Sequence, residues 1–228
     1  MRFNLKTITM SIDMYLSNLS SRKMQNQLNR HFSIKASHMT ILDWVRRYSL
    51  KVHKFVEKLG YNLGDNFYAD ETKINRLGYR DNFWACVDLE TRIITGTHYS
   101  ATTNIKEATV FIQKSISKGK PKYIQTDSAQ FYPKAFRKLF YSNKIGGLVV
   151  EHKIQNVRRT KIRNYRIETV IMKIKDRVHD FRGLKALWSA PIIMAGLTIQ
   201  HNFIEPHCNK KEHPCNLAGV DLRLEENR

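Results

Sequence analysis

Three acidic residues are the first candidates for chemistry in this chain. Asp70 lies in Tyr68-Ala69-Asp70-Glu71-Thr72, a segment with the aromatic and β-branched character of a strand. A carboxylate inside a strand is costly unless it is paired or ligates a cation. Asp127 follows Tyr123-Ile124-Gln125-Thr126, just past the carboxyl end of a predicted buried strand, and sites of open α/β sheets form at such ends. Glu168 belongs to a predicted helix with an apolar stripe of Ile167, Val170, Ile171, Ile174, Val178 and Phe181. At 100° per residue, Glu168 and Lys175 project together from the flank of that stripe. Carboxylates converging from two strands and a helix would bind two hard divalent cations through oxygen. Two such ions can activate an attacking oxygen and stabilise a leaving oxygen at one phosphodiester. Taken singly, each acid also suits a cap or a surface position, and Asp127 suits the N-cap of a helix beginning near Ala129. Glu71, Asp88 and Glu151 compete for the same role, but Glu71 points to the opposite face of the strand from Asp70.

The elements that must position these acids follow from periodicity. Predicted strands span 66–75, 83–89 and 92–100, with turn signals at Gly78, Asp81 and Glu90-Thr91. A helix over 104–117, a strand over 123–126, a helix over 129–140 and a strand over 147–153 come next. Long helices over 164–180 and 184–203 complete the pattern. The order βββ-α-β-α-β-α-α predicts a mixed sheet with helices packed on it.

Ahead of the sheet the chain reads as short helices. Ile12, Tyr15, Leu16 and Leu19 recur at helical spacing. Ser20-Ser21 can cap a second helix to about Arg30, and Ser37 a third to about Tyr48. In the third, Ile41, Leu42, Trp44, Val45 and Tyr48 face inward, leaving Ser37, His38, Thr40, Asp43, Arg46 and Arg47 mostly outside. Two helices with a tight connection and a polar, basic second helix suit a helix-turn-helix entering the major groove; a plain helical hairpin is the ordinary alternative. Lys51 to Gly64 reads as a further helix closed by Gly60 and a loop, with a domain boundary near residue 64.

Charge points to the partner. The chain has 39 Lys and Arg against 20 Asp and Glu in 228 residues, a net +19. Residues 1–60 carry eleven basic and three acidic residues, 61–142 twelve and eight, 143–185 twelve and four, and the remainder four and five. Two basic zones therefore flank a nearly balanced middle, as expected of a protein that binds a polyanion with strong salt dependence. No run approaches eighteen apolar residues, so membrane spanning is not expected, and the start lacks the apolar core of a signal peptide. Three cysteines fit a reducing cytoplasm better than a disulfide scaffold. His201, His207, Cys208, His213 and Cys215 cluster in the tail, but their spacing does not match common zinc sites.

Together these residues resemble the DDE transposases of prokaryotic insertion sequences, most nearly insertion sequence family six, from about Ser11 to Leu222. Leu19-Ser20-Ser21-Arg22-Lys23 and Met39–Tyr48 resemble the family's helix-turn-helix. Tyr68–Thr72 resembles its first catalytic block, and Gln125-Thr126-Asp127 with Tyr132-Pro133-Lys134-Ala135 its second. Glu151-His152 ends a strand as in the family. Asn164, Glu168 and Lys175 fit its third block, a glutamate followed seven residues later by a base. Trp188-Ser189-Ala190, Gly196 and Asn202–His207 resemble its C-terminal part. Two departures are visible. Forty residues separate Asp127 from Glu168, more than the family usually has, the excess being the basic insertion Asn156–Arg163, and Tyr165 stands where the family has a second asparagine.

The resemblance implies an RNase H-like α/β domain over 65–228, preceded by an all-α helix-turn-helix domain over 1–64. It implies a transposase that binds terminal inverted repeats, cleaves the 3′ ends of its element and transfers them to target DNA. Asp70, Asp127 and Glu168 would hold two Mg²⁺ or Mn²⁺ ions, and Lys175 would hold a DNA phosphate or base edge. Arg22, Ser37, His38, Thr40, Arg46, Arg47, Arg158 and Arg159 are the expected DNA contacts. The implied partners are double-stranded DNA and further copies of the chain, in the cytoplasm on the nucleoid. A non-catalytic regulator derived from a transposase is the alternative; a plain RNase H-like nuclease would leave the helix-turn-helix without a role.

Overall fold

A computed structural model describes residues 3–155, 165–181, 183–207, 210–220 and 222. Three helices come first: α1 (Leu5–Leu16), α2 (Ser21–Phe32) and α3 (His38–Val56). Each starts at a polar side chain that accepts an otherwise orphaned backbone N–H. Thr7 donates to Asn4 (2.7 Å), Lys23 to Ser20 (3.3 Å) and Thr40 to Ser37 (3.1 Å). Ser33 closes α2 in the left-handed region (φ 55°), and the His38 N–H reaches back to Gln25 Oε1 (2.8 Å), locking the α2–α3 turn. Ile8, Met24, Leu28, Ala36, Ile41 and Trp44 form the core of this unit.

The expected separate helix from Lys51 toward Gly64 does not form. No glycine or proline interrupts the chain between Tyr48 and Val56, so α3 runs on through residues 51–56, and only a loop follows. Its second half lies against the helix α7 (Ala190–Ile199) so closely that a Cβ on Gly196 would stand 2.7 Å from Ser49 Oγ.

The sheet holds β1 (Asn66–Arg76), β2 (Tyr79–Asp88), β3 (Ile94–Ser100), β4 (Tyr123–Thr126) and β7 (Glu151–Ile154), in the order β3-β2-β1-β4-β7. The first three strands are antiparallel; β1, β4 and β7 run parallel. The β1–β2 hairpin turns at Leu77 and Gly78, both with positive φ, where the Gly78 N–H donates to Asn75 Oδ1 (3.0 Å). On one face lie α6 (Tyr165–Asp180) and α7, packed on Ile74, Phe83, Ala85, Val87 and Ile94, with Leu16 and Val45 joining from the N-terminal helices. On the other lie α4 (Ile105–Ile116) and α5 (Phe131–Phe140), packed on Phe67, Ala69, Trp84, Cys86 and Ile124.

Two predicted boundaries shift. The single strand expected over 147–153 is two: β6 (Gly147–Leu148) pairs with β5 (Tyr141–Ser142) in a small hairpin, and only β7 joins the main sheet. Glu151 and His152 therefore open a strand instead of ending one. The helix expected from Leu184 begins at Ala190, because Leu184 is drawn into a bridge with Arg76, and it ends in a π-helical turn over Gln200–Ile204. That turn aims Asn202 at the edge strand β3: its Oδ1 accepts from the Ile94 N–H (2.8 Å) and its Nδ2 donates to the Ile94 carbonyl (3.0 Å). A side-chain amide thus satisfies backbone groups that an edge strand leaves unpaired. A short helix, α8 (Pro214–Leu217), follows.

Candidate active site

Alternation along β1 decides which acid faces where. Phe67 and Ala69 pack toward α4 and α5, and Tyr68 and Ile74 toward α6. Asp70 shares parity with Tyr68 and Ile74, so it lies on the α6 side; Glu71 lies on the other. The parallel ladder pairs Tyr68 with Gln125, and continuing it two residues sets Asp70 beside Asp127, where β4 has just ended. Glu168 sits in the first turn of α6, next to the buried stripe Ile167, Val170, Ile171, Ile174 and Val178. The three predicted acids thus lie on neighbouring elements, with Asp127 and Glu168 close enough to Asp70 to be felt by its carboxyl.

The electrostatics around Asp70 are unfavourable. Burial pushes the Asp70 carboxyl up to about 7; Glu71, Asp127 and Glu168 add to the rise, and the Glu71 N–H bonded to Asp70 Oδ1 (2.9 Å) opposes it. Among the described residues, no lysine, arginine or histidine forms an ion pair with Asp70, Asp127 or Glu168. Asp127 is exposed and turns Oδ1 onto the Ala129 N–H (3.0 Å), holding the turn before α5 instead of capping the helix, whose cap residue is Gln130. With each aspartate drawn to a local N–H, no three Asp, Glu, His or Cys groups among the described residues converge on one ion position. The donor set still fits Mg²⁺ or Mn²⁺: hard oxygen ligands, a second oxygen on each aspartate, and a charge surplus that a cation would neutralise.

Around the acids stand groups whose part the sequence reading missed. The buried Tyr132 hydroxyl donates to Glu71 Oε2 (2.7 Å), and burial raises the Glu71 carboxyl above its usual range. His152 stacks on Phe136 (4.0 Å between centroids) and shares a hydrogen bond with Thr126 Oγ1 (2.9 Å); burial lowers its imidazole to about 4. It therefore pins β7 to the end of β4 as a neutral ring. The signal available in the sequence was chemical: a tyrosine on the apolar face of a helix five residues after Asp127 needs a hydrogen-bond partner.

The competing acids are accounted for. Asp88 is fully buried at the end of β2 and accepts from the Gly64 and Thr91 N–H groups and from Thr91 Oγ1. Glu151 is exposed and pairs with Tyr123 across the ladder, at the other end of β4 from Asp127. Lys175 is exposed two turns beyond Glu168 and, with Lys73, Asn75 and His179, lines an open groove of about 520 Å³ between β1 and α6.

In the helical unit, Arg22, Ser37 and Arg47 are exposed, and His38 and Thr40 are partly so at the start of α3. Arg47 pairs with Asp43 at 2.9 Å, with both side chains more than half exposed. Arg46 differs from the outward position expected of it: its guanidinium lies 4.8 Å over the Trp188 ring, with Nε buried and unpaired. Arg158 and Arg159, with the rest of the basic insertion, lie outside the described residues, as do Asn164 and Cys208.

This five-stranded mixed sheet with helices on both faces is an RNase H-like arrangement, with Asp70 on β1, Asp127 just past β4 and Glu168 on α6. The DDE domain family of IS240-type transposases matches residues 64–207, and the chain belongs to it. No curated protein matches the chain. Retroviral proteins are among the solved structures similar to it. A simian T-cell lymphotropic virus intasome, in complex with PP2A regulatory subunit B56 gamma, is 14% identical over 86% of this chain and 69% of that one, with a TM-score of 0.48. The HTLV-2 integrase catalytic core with magnesium is 18% identical over 70% and 98% (TM-score 0.44). The BIV integrase core is 13% identical over 72% and 97% (TM-score 0.46). Among the described residues, no helix is long and apolar enough to cross a membrane.

Proposed function

We propose that this chain is a working transposase that binds the terminal inverted repeats of its own element, cleaves the 3′ ends and joins them to target DNA. What supports this reading is that Asp127 and Glu168 lie within electrostatic reach of Asp70, that none of the three has an ion-pair partner among the described residues, and that they fall inside the matched family domain. Asp70 and Glu168 approach from the α6 side of the sheet and Asp127 from the end of β4, and a bound cation would draw their oxygens together. Two divalent cations held there would activate the attacking water or 3′-hydroxyl and stabilise the leaving oxygen. Lys175, exposed on the helix that carries Glu168, holds a phosphate of the strand being cut, and the adjoining groove with Lys73 and His179 carries that strand away.

DNA is recognised separately. Residues 1–64 form the helix-turn-helix domain and 65–228 the catalytic one. The start of α3, with Ser37, His38 and Thr40, enters the major groove, and Arg22 and Arg47 grip phosphates on either side. The Arg47–Asp43 pair is exposed and contributes little to folding, so the arginine is free to exchange its partner for a phosphate. Joining two ends of one element to a target requires two active sites, hence at least a homodimer on DNA.

The test uses the full chain, duplexes carrying the imperfect repeats that flank its gene, and Mg²⁺ or Mn²⁺. Metal-dependent nicking at the 3′ ends followed by joining is expected, and it should vanish in Asp70→Asn while repeat binding survives. Binding that weakens with salt, without any cleavage in either metal, would replace this reading with that of a DNA-binding regulator. Arg47→Ala should lower the slope of log affinity against log salt by roughly 1.

A further inference from the structure

The hydrogen bond from Tyr132 Oη to Glu71 Oε2 links the two segments that carry the aspartates, past the point where the β1–β4 ladder ends among the described residues. The β1–β4 ladder stops at Tyr68 and Gln125, short of Asp70 and Asp127. Beyond it β1 continues as a strand, but the other chain leaves the sheet through the turn Asp127–Gln130, of which Asp127, Ser128 and Gln130 are exposed. The separation of the aspartates is therefore set by whatever ties the start of α5 to β1. Glu71 is the residue after Asp70, on the opposite face; Tyr132 is the second residue of α5. Their side chains meet at 2.7 Å across 61 residues of sequence. Tyr132 is fully buried, with Trp84 at its edge (6.1 Å between centroids) and Phe131 at 4.8 Å, so the hydroxyl has little room to swing. Glu71 is held in turn through its own N–H, which donates to Asp70 Oδ1.

We infer that Tyr132 and Glu71 are positioning residues whose hydrogen bond holds Asp70 and Asp127 at the separation that metal binding needs. This rests on the assignment of those aspartates as metal ligands. The bond acts through its geometry, so the neutral acceptor of a glutamine should serve nearly as well as the carboxylate. Loss of the hydroxyl should leave the fold in place and let the turn carrying Asp127 drift.

The experiment compares full-length wild type, Tyr132→Phe and Glu71→Gln by two readouts. One is the rise in melting temperature on titrating Mn²⁺ without DNA, and the other the Mn²⁺ concentration giving half-maximal cleavage. Tyr132→Phe should need roughly tenfold more Mn²⁺ in both and recover cleavage at saturation, while Glu71→Gln stays within about threefold of wild type. A Tyr132→Phe midpoint equal to wild type, whatever its metal-free stability, would show that the bond only packs the core. A Glu71→Gln shift as large as that of Tyr132→Phe would show that the charge matters and the bond does not; either result overturns the inference. Should Tyr132→Phe fail to fold, Glu71→Ala removes the acceptor and leaves room for water at the hydroxyl, and the same shift is expected of it. Wild type that neither melts higher with Mn²⁺ nor cleaves would overturn the metal-ligand assignment itself, a failure visible before any variant is compared.

Discussion

Two places along the β1–β2 hairpin hold buried or half-buried acid, and they are built on opposite principles. Near the turn, Asp81 is almost completely buried and brings its own compensation. Arg76 bonds it through Nε and Nη2, and the Tyr99 hydroxyl donates to Oδ2 at 2.9 Å. In the middle of β1, Asp70 has two acids beside it and a third, Glu71, at its back, with its carboxyl pushed up to about 7. Both sites pay for desolvation, but only the first returns it through a paired cation and hydrogen bonds. On the proposed function, the difference separates an acid that serves the fold from acids that await a charge from outside. Burial alone does not mark a site, since Asp81 is more buried than Asp70; the missing counterion does.

Breaking the second arrangement should have the largest effect on activity. Asp70→Asn, Asp127→Asn and Glu168→Gln each remove a negative ligand oxygen. Each should reduce metal-dependent cleavage and joining by roughly 10²–10⁴-fold, corresponding to several kcal/mol of lost stabilisation, with DNA binding retained. Strand-transfer assays beside a binding assay check this.

The same charge surplus should appear as pH dependence in the metal-free protein. Asp70 titrates near 4 when unfolded and about 7 when folded, so between those values the folded state holds the extra proton. Its contribution to stability is therefore favourable at pH 4 and declines as pH rises to about 7, by at most about 4 kcal/mol. Melting curves from pH 4 to 8 should show a slope in wild type that Asp70→Asn flattens. An unchanged slope would mean that Asp70 is as well compensated as Asp81. At the other site, Asp81→Asn removes the charge that pairs with Arg76 and leaves one acceptor oxygen for two half-buried donors, and should lower the melting temperature by roughly 5 °C without touching cleavage by the folded protein.

Much of this contrast was legible in the residues. The strand 123–126, the face shared by Asp70 and the α6 stripe, and the caps Ser20 and Ser37 all follow from local periodicity and side-chain chemistry, and the structure has them. What local pattern could not carry was long-range. Leu184 reads as helix but is captured by Arg76, and the run 147–153 divides because one half pairs with β5 and the other with β4. Arg46 looks outward on a helical wheel until Trp188, 142 positions on, arrives beneath it. For the site, the acids were visible as types at spacings. Tyr132 and His152 were not, because their roles depend on partners 61 and 26 residues away.

The smallest expected effect sharpens the assignment of the third acid. Glu151 is the nearest rival of Glu168 in chain order, and the insertion that lengthens the spacing to Glu168 falls between the two. The register argues against it: Glu151 faces Tyr123 at the start of β4, so Asp127 lies four residues further on, about 13 Å along the strand direction. Its carboxylate is exposed and faces Lys153 at 3.9 Å, so it has a local cation and water to balance it. It belongs with the compensated acids. Glu151→Gln should leave cleavage within about twofold of wild type and melting unchanged within roughly 1 °C, as for a surface substitution away from any special contact. Loss of cleavage in Glu151→Gln together with near-normal cleavage in Glu168→Gln would reverse the assignment. It would also require β7 to shift in the active complex, since at the present register the carboxylate lies too far along the sheet from Asp127 to share the proposed ions.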